Sequence, residues 1–189
     1  MEKPSLDTAK AGAMRFNTDT FQLEIYDGNQ WAGILGTTPQ QHTGGTRGLF
    51  FGGRTPSDVD TIDFVNIDTT GNAIDFGNRL EAARQAGGTA SRSRGVAVGR
   101  APSASNVIEF VTIASQGNAQ DFGDLSDSST ECRGSASRTR FVFNFGFTPS
   151  VSNVIEFVEF ATKANSQDFG DLTVSRGQAA GFSNGHGGL

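Results

Sequence analysis

The residues of this sequence that most directly suggest chemistry are three copies of the triplet Asp-Phe-Gly, which begin at Asp75, Asp121 and Asp168. In protein kinases the aspartate of such a triplet binds the catalytic magnesium ion. A catalytic metal ligand is needed once per active site, whereas these triplets recur at intervals of 46 and 47 residues. The sequence also lacks a His-Arg-Asp catalytic loop and a kinase-type Gly-rich loop. The triplet therefore marks a repeat.

An acid precedes each triplet at a constant distance, at Asp63, Glu109 and Glu156. Together with the triplet aspartates, these acids could form the carboxylate pairs that hydrolyse glycosidic bonds. A residue that recurs once per repeat, however, usually performs the same structural task in each repeat. We therefore expect the triplet aspartates to accept turn or backbone hydrogen bonds, and we assign no catalytic residue.

Arginine also recurs once per repeat, at Arg47, Arg94 and Arg140, before a short apolar segment. A guanidinium group binds carboxylates through charge-assisted hydrogen bonds. We therefore expect these arginines to pair with the repeated acids.

The remaining reactive side chains form no recognisable site. His42 and His186 are the only histidines, and a metal site needs further ligands at a usable spacing. No nucleophile-elbow sequence supports Ser-His-Asp chemistry. We expect Cys132, the single cysteine, to be a buried small side chain. The sequence thus predicts neither a metal site nor a cofactor.

The composition indicates an all-β protein. The 189 residues include 25 glycines and 16 phenylalanines, a composition typical of short strands joined by tight turns. The formal net charge is -5 and the arginines are scattered, so we expect no binding to nucleic acid, which needs concentrated positive charge. Because we find neither an apolar stretch of membrane-spanning length nor a signal-peptide core, we expect assembly in the cytosol without membrane insertion.

Three repeats extend from residue 46 onward, at about 46–92, 93–138 and 139–189. Aligned on the triplet, three segments match their neighbours at ten of sixteen positions, namely residues 62–77, 108–123 and 155–170. The period fits a unit of four strands, in the range of propeller blades. Because closed propellers use roughly four to eight blades, we expect other copies of the chain to complete the array.

Three loops differ among the repeats while their flanks do not, at residues 55–60, 101–105 and 148–152. This variation is expected of loops on an exposed rim. The loops could contact a receptor or a neighbouring protein, or they could be solvated turns, and the sequence leaves both alternatives open.

The N-terminal module, residues 1–36, differs from the repeats in composition and is followed by a polar linker at residues 37–45. Its pattern predicts three short strands, at residues 14–17, 21–26 and 30–35. The predicted turns lie at residues 18–20 and 27–29. A meander of this size buries too little apolar area to be stable alone. We therefore expect the module to need a partner.

Both parts of the chain resemble proteins of tailed bacteriophages. The N-terminal GAMRFNTDT, followed by LE, YDG and Trp31, resembles a short module common in tail-fibre and other virion structural proteins. The repeats, with their N-x-IEFV-x-I and GNA-x-DFGDL elements, resemble kelch-like repeats in structural proteins of marine phages, cyanophages among them. The resemblance implies symmetric, for example trimeric, assembly on a virion and contact with the host surface.

We therefore expect a non-enzymatic virion structural protein, a tail or neck fibre or fibre-associated protein that contributes to host-surface adhesion. Its expected fold is a three-stranded meander followed by three kelch-like, four-stranded propeller-type repeats. Its expected partners are copies of itself in a homotrimer, other virion proteins through the N-terminal module, and a host glycan or protein. Two alternatives stay open: a capsid or tail decoration protein, and a fibre-borne polysaccharide depolymerase. The expected location is the virion, after assembly in the host cytoplasm.

Overall fold

A computed structural model of the chain describes residues 9–17, 22–33, 45–147 and 149–183. Over these residues it contains antiparallel β-sheets and no helix, which confirms the all-β prediction. The chain divides into two compact units, Met1–Thr43 and Gly44–Leu189.

The first unit contains one three-stranded meander. Its strands are β1 (Met14–Asn17), β2 (Gln22–Tyr26) and β3 (Trp31–Gly33), with β2 in the centre. All three predicted strands are confirmed within the described residues. The predicted turn at residues 18–20 lies outside the described residues. At the second turn, the Asp27 carboxylate accepts hydrogen bonds from the Asn29 and Gln30 amides, at 2.7 and 2.8 Å. These two bonds lower the pKa of the carboxyl.

The two faces of the meander differ in how they are covered. On one face, the Arg15 guanidinium lies 4.2 Å from the centre of the Trp31 ring and pairs with Glu24 at 2.7 Å. The opposite face is apolar, because direct cross-strand partners point to the same side of a sheet. It consists of the pairs Met14–Ile25 and Phe16–Leu23. All four side chains are exposed. The meander therefore presents an apolar surface of the kind that marks an interaction site.

The second unit contains three repeat sheets. The first is β4 (Arg47–Arg54), β5 (Asp58–Asn66) and β6 (Ile74–Asn78). The second is β7 (Gly87–Ala90), β8 (Arg94–Val98), β9 (Ser105–Thr112) and β10 (Gln120–Ser129). The third is β11 (Arg133–Ala136), β12 (Arg140–Asn144), β13 (Val154–Glu159) and β14 (Gln167–Asp171). Strands adjacent in sequence pair in each sheet.

Two of the three repeat sheets have the predicted four strands. The first sheet has three strands within the described residues; residues 40–43, which align with β7 in sequence, are not among these residues. The sheets are also offset from the sequence repeats. Strand β7, at the end of the first sequence repeat, pairs with β8 and so begins the second sheet.

Each Asp-Phe-Gly triplet forms a β-bulge. Asp121 and Gly123 of β10 pair with consecutive residues of β9, so Phe122 is the extra residue on its strand. The same register shift places Phe76 of β6 and Phe169 of β14 at the extra position. In each sheet this ring packs edge-on against a phenylalanine of the neighbouring strand.

The bulge also explains the conserved order of residue types within the triplet. Its glycine has a positive φ at all three sites, +147° at Gly77, +151° at Gly123 and +135° at Gly170, a conformation that favours glycine. The expectation that the aspartates accept backbone hydrogen bonds is confirmed for Asp121 and Asp168. Each Oδ1 accepts from the glycine amide two residues later, at 3.0 and 3.1 Å.

The buried core lies between the sheets. The larger cluster joins the second and third sheets and includes Phe122 and Phe143. A smaller cluster joins the first and second sheets, where Ile62 and Phe76 pack with Val111 and Ala119. Each sheet is therefore stabilised by burial against its neighbours, as in repeat proteins generally.

We predict that Gly123→Ala lowers the free energy of unfolding by about 2–4 kcal/mol. The methyl group adds backbone strain at positive φ and overlaps the Ala164 carbonyl of the next sheet. Gly117 provides the matched control, because its φ is +154° and a Cβ there meets open space. We expect Gly117→Ala to cost only the strain, about 1–2 kcal/mol. Urea unfolding measures both values, and equal costs would contradict the role of the overlap.

Candidate functional site at the junctions between sheets

The repeated polar residues meet at two junctions, where consecutive repeat sheets contact each other. At each junction, the surface that belongs to the earlier sheet in the sequence is called the trailing side. The surface that belongs to the later sheet is called the leading side. At the first junction the Asn78 amide donates to Asn118 Oδ1 at 3.0 Å. At the second junction the Asp124 amide donates to Asn165 Oδ1, also at 3.0 Å. An asparagine before the bulge therefore holds the preceding sheet at both junctions.

Main-chain groups add further hydrogen bonds at the same places. The Ala119 amide donates to the Asn78 carbonyl at 2.8 Å, and the Gly117 amide donates to the Phe76 carbonyl at 2.9 Å. At the second junction the Ser166 amide donates to the Asp124 carbonyl at 2.9 Å. The bulge glycine permits this approach, because a side chain there would overlap the neighbouring backbone.

The prediction that Arg47, Arg94 and Arg140 pair with the repeated acids is wrong. Arg47 Nη1 donates to the carbonyl of Ile113 in the second sheet at 2.7 Å. Arg94 makes the equivalent bond to the carbonyl of Phe160 in the third sheet. Arg140 instead pairs with Glu159, which is not one of the repeated acids.

The physical reason is that all three arginines stack on an aromatic ring, and that Arg47 and Arg94 also reach a strand end of the next sheet. The guanidinium carbon lies about 5 Å from the ring centre of a phenylalanine in the same sheet, the pairs being Arg47–Phe64, Arg94–Phe110 and Arg140–Phe157. This stacking leaves the N–H edge of the group free to satisfy a carbonyl of the next sheet. The acceptor is a main-chain carbonyl, which every residue has, so the sequence does not show which residue provides it.

The repeated acids occupy directly opposed positions in the strand register. The pairs are Asp63–Asp75, Glu109–Asp121 and Glu156–Asp168. Glu156 links two sheets at the second junction: its carboxylate accepts from the Ser126 amide at 3.4 Å and forms a short hydrogen bond with the Ser166 hydroxyl.

Glu109 forms the main ion pair of the first junction. Its Oε1 accepts from Arg79 Nε at 2.6 Å and its Oε2 accepts from the Leu80 amide at 3.0 Å, and both charged side chains are buried. The guanidinium also donates to the Ala83 carbonyl at 3.2 Å. Arg79 was not among the predicted residues. The sequence does contain a signal for it, because Arg79 aligns with Leu125. The first repeat therefore has a charged side chain where the second repeat has an apolar one.

The three variable loops form short turns on the rim, with proline followed by small residues. Their central residues are exposed: 55–57, 102–104 and 149–151. The first loop is anchored at its end, since the Asp58 carboxylate accepts from Arg84 Nη1 through both oxygens at 2.7 and 2.8 Å. We call these three tripeptides the rim turns. Residue 148 lies outside the described residues.

Of the single cysteine and the two histidines, only Cys132 lies within the described residues. Cys132 is fully buried, as expected, and burial raises the pKa of its thiol. His42 and His186 lie outside the described residues. Within the described ranges, no group of three or more His, Cys, Asp and Glu side chains is placed to hold a metal ion. The same ranges contain no helix that is long and apolar enough to cross a membrane.

We predict that Glu109→Ala lowers the free energy of unfolding by about 3–5 kcal/mol, because it leaves the Arg79 guanidinium buried without its counter-charge. Glu81→Ala is the matched control, since Glu81 pairs with Arg100 from an exposed position. That substitution should cost less than about 1 kcal/mol. Chemical denaturation measures both. A cost for Glu109→Ala no larger than that of the control would contradict the structural role of the pair.

We predict that Cys132 does not react with an aromatic disulfide reagent at about pH 8 while the protein is folded, because a buried, protonated thiol is a poor nucleophile. Because the thiol pKa is raised, moderate alkalinity should not start the reaction until the protein unfolds. Absorbance of the released thiol in buffer and in guanidinium chloride measures this difference. Rapid reaction of the native protein would show that the thiol is accessible.

No protein-family model matches the sequence, and the comparison with curated proteins finds no match. Among solved structures, the chain is similar to a fungal alcohol oxidase of the AA5 family in complex with copper. The sequence identity is 15% and the TM-score is 0.48. The match covers 84% of this chain and 40% of the oxidase, so the chain spans less than half the length of that protein.

Proposed function

We propose that the chain is a non-enzymatic structural protein of a tailed-bacteriophage particle, a fibre or fibre-associated protein that contributes to host-surface adhesion. The observation that carries the proposal is the use of the repeated side chains. Asn118 and Asn165, Arg47 and Arg94 make the same contacts at successive junctions. The repetition therefore supports a scaffold in which each sheet positions the next, in the manner of a kelch-like propeller.

The rim turns are the proposed contact surface for the host. They are exposed, and the residue after their shared Pro-Ser differs among the repeats, being Asp58, Ala104 or Val151. The first turn is anchored by the pair of Asp58 with Arg84. A rigid scaffold that carries variable turns suits recognition of a surface glycan or protein. In this proposal the repeats hold the turns in place, and the turns determine which surface molecule is bound.

The apolar face of the N-terminal meander is the proposed attachment surface. Met14, Phe16, Leu23 and Ile25 are exposed together on one side of a small sheet. Burial of this face against copies of the module, or against another virion protein, would stabilise a meander too small to be stable alone. The chain would be assembled into the particle in the host cytoplasm.

Two measurements test this function. Immunogold electron microscopy with antibodies to the purified protein should label the tail or neck of particles of the phage that encodes it. The purified protein should also sediment with host cells. Labelling of the capsid without cell binding would favour a decoration protein, and release of soluble sugars from host glycans would favour a depolymerase. Particles without label would overturn the proposal.

A double substitution, Phe16→Ser with Leu23→Ser, tests the attachment surface. We expect the variant to bind cells at the wild-type level but to be lost from particles at least tenfold, because only the apolar face is changed. Quantitative blotting of purified particles measures incorporation. Unchanged incorporation would show that the chain attaches through another surface.

A further inference from the structure

The two ends of the repeat array carry unmatched halves of the junction. The bulge phenylalanine shows this on the trailing side. Phe76 and Phe122, which face a following sheet, are 2% and 3% exposed, whereas Phe169 of the third sheet is 54% exposed. A Cβ at Gly77 or Gly123 would overlap the next sheet, whereas Gly170 has open space around it. The third sheet therefore has the shape of a trailing side without a neighbour among the described residues.

The leading side shows the opposite pattern. Ile113 and Phe160, whose carbonyls receive an arginine of the preceding sheet, are 9% and 4% exposed. The equivalent residue of the first sheet, Ile67, is 67% exposed. Its turn also carries Asn72, which aligns with Asn118. The first sheet thus presents the groups that a trailing side would bind.

The first sheet also has space for a fourth strand. A cavity of about 450 Å³ separates β4 from β7 and is lined by Phe50 and Phe51. Phe50 is 61% exposed, although the equivalent Ala97 and Phe143, which pair with β7 and β11, are 3% and 1% exposed. The free edge of β4 faces this cavity, and no described strand pairs with it.

Residues 178–183 resemble the start of a further sheet. Gln178 has a φ of +56°, and the equivalent Gln85 and Glu131, just before β7 and β11, have +59° and +58°. Beyond it, Gly181 packs against the backbone of Gly134 in β11, where a Cβ would overlap. The segment therefore lies beside the third sheet, at the place where the first strand of a following sheet, the counterpart of β7 and β11, would lie.

We propose that two copies of this chain associate head to tail. The trailing side of the third sheet in one copy binds the leading side of the first sheet in the other, and residues 180–183 pair with the free edge of β4. The inference goes beyond the proposed function, because it holds wherever the protein is located.

Continuity with the two internal junctions defines the contacts. The Asp171 amide donates to Asn72 Oδ1 of the partner copy, as the Asn78 and Asp124 amides do within the chain. Arg140 Nη1 donates to the Ile67 carbonyl, which is compatible with the existing bond from its Nε to Glu159. Phe169 becomes buried on the partner's leading side.

Residues 180–183 of a second copy suit the edge of β4. Strands β7 and β11 have glycine at Gly88 and Gly134, and Gly134 pairs with Phe143. Gly181 repeats this glycine and would lie opposite Phe50.

The number of copies follows from closure. A head-to-tail contact is heterologous and must either close into a ring or extend as a filament. Two copies of the three described repeat sheets make six, within the roughly four to eight blades of known propellers, whereas three copies make nine. We therefore infer a closed dimer for the repeat units, in place of the trimer expected from the resemblance.

Light scattering coupled to size exclusion tests the dimer. The wild-type protein should have twice the 19.9 kDa mass of one chain. Phe169→Asp and Ile67→Asp should each reduce the mass to that of one chain, and Val151→Asp, an exposed apolar control on the rim, should not. A wild-type mass of one chain at all concentrations up to about 100 µM would overturn the inference.

Mixing the two variants separates a heterologous contact from a symmetric one. Phe169→Asp retains an intact leading side and Ile67→Asp retains an intact trailing side, so their mixture should recover one junction and the dimer mass. No recovery would contradict the head-to-tail geometry. A trimer unaffected by either variant would instead indicate assembly through the meander. The immunogold result does not affect any of these outcomes.

A disulfide trap provides a second test that does not depend on destabilising variants. The double variant Asn72→Cys with Asp171→Cys should form cross-linked dimers under mild oxidation, since the proposed contact brings these positions together. Each single variant should form no such product in excess of wild type. Cross-linking no greater in the double variant than in the single variants would contradict the proposed register.

Discussion

The close approach of main-chain groups at each junction is the constraint on which the rest of the structure depends. A strand edge or turn that is removed from water must have its N–H and C=O groups satisfied. Here the bulge glycine brings those groups within hydrogen-bond distance of the next sheet, and an asparagine side chain satisfies the remaining amide. The bulge also directs a phenylalanine side chain into the core between the sheets. One triplet thus performs the three tasks of bending the strand, permitting contact and filling the core.

This constraint explains why side chains that could do chemistry are occupied elsewhere. Glu109 and Glu156 lie opposite the triplet aspartates, which in another setting could form a carboxylate pair. In this chain Glu109 forms an ion pair with Arg79, and Glu156 accepts hydrogen bonds from a hydroxyl and an amide. The two junctions solve the same problem with different partners, since Leu125 replaces Arg79 at the second. Function is therefore proposed for the surfaces that the scaffold exposes, the rim turns and the apolar face of the meander.

Much of the fold could be predicted from the sequence, because the periodicity is strong and the turns carry glycine, asparagine and proline. The strands of the meander and the structural role of Asp121 and Asp168 followed from local patterns. The partners of the repeated arginines did not, because a carbonyl of the next sheet has no side-chain signature. The sheet to which β7 belongs could not be predicted either, because β7 lies within the first sequence repeat but pairs with β8 of the second. The unmatched ends became visible only when equivalent residues could be compared for exposure.

The central claim is that one kind of junction is used both within the chain and between its copies. Hydrogen–deuterium exchange of single amides, measured at low and high protein concentration, tests this claim most directly. The Asn78 and Asp124 amides, which donate to asparagines of the next sheet, should be protected at both concentrations. The Asp171 amide should exchange rapidly in dilute protein and become protected in concentrated protein. Rapid exchange at Asp171 at both concentrations, or at Asn78 and Asp124 in either, would contradict the claim.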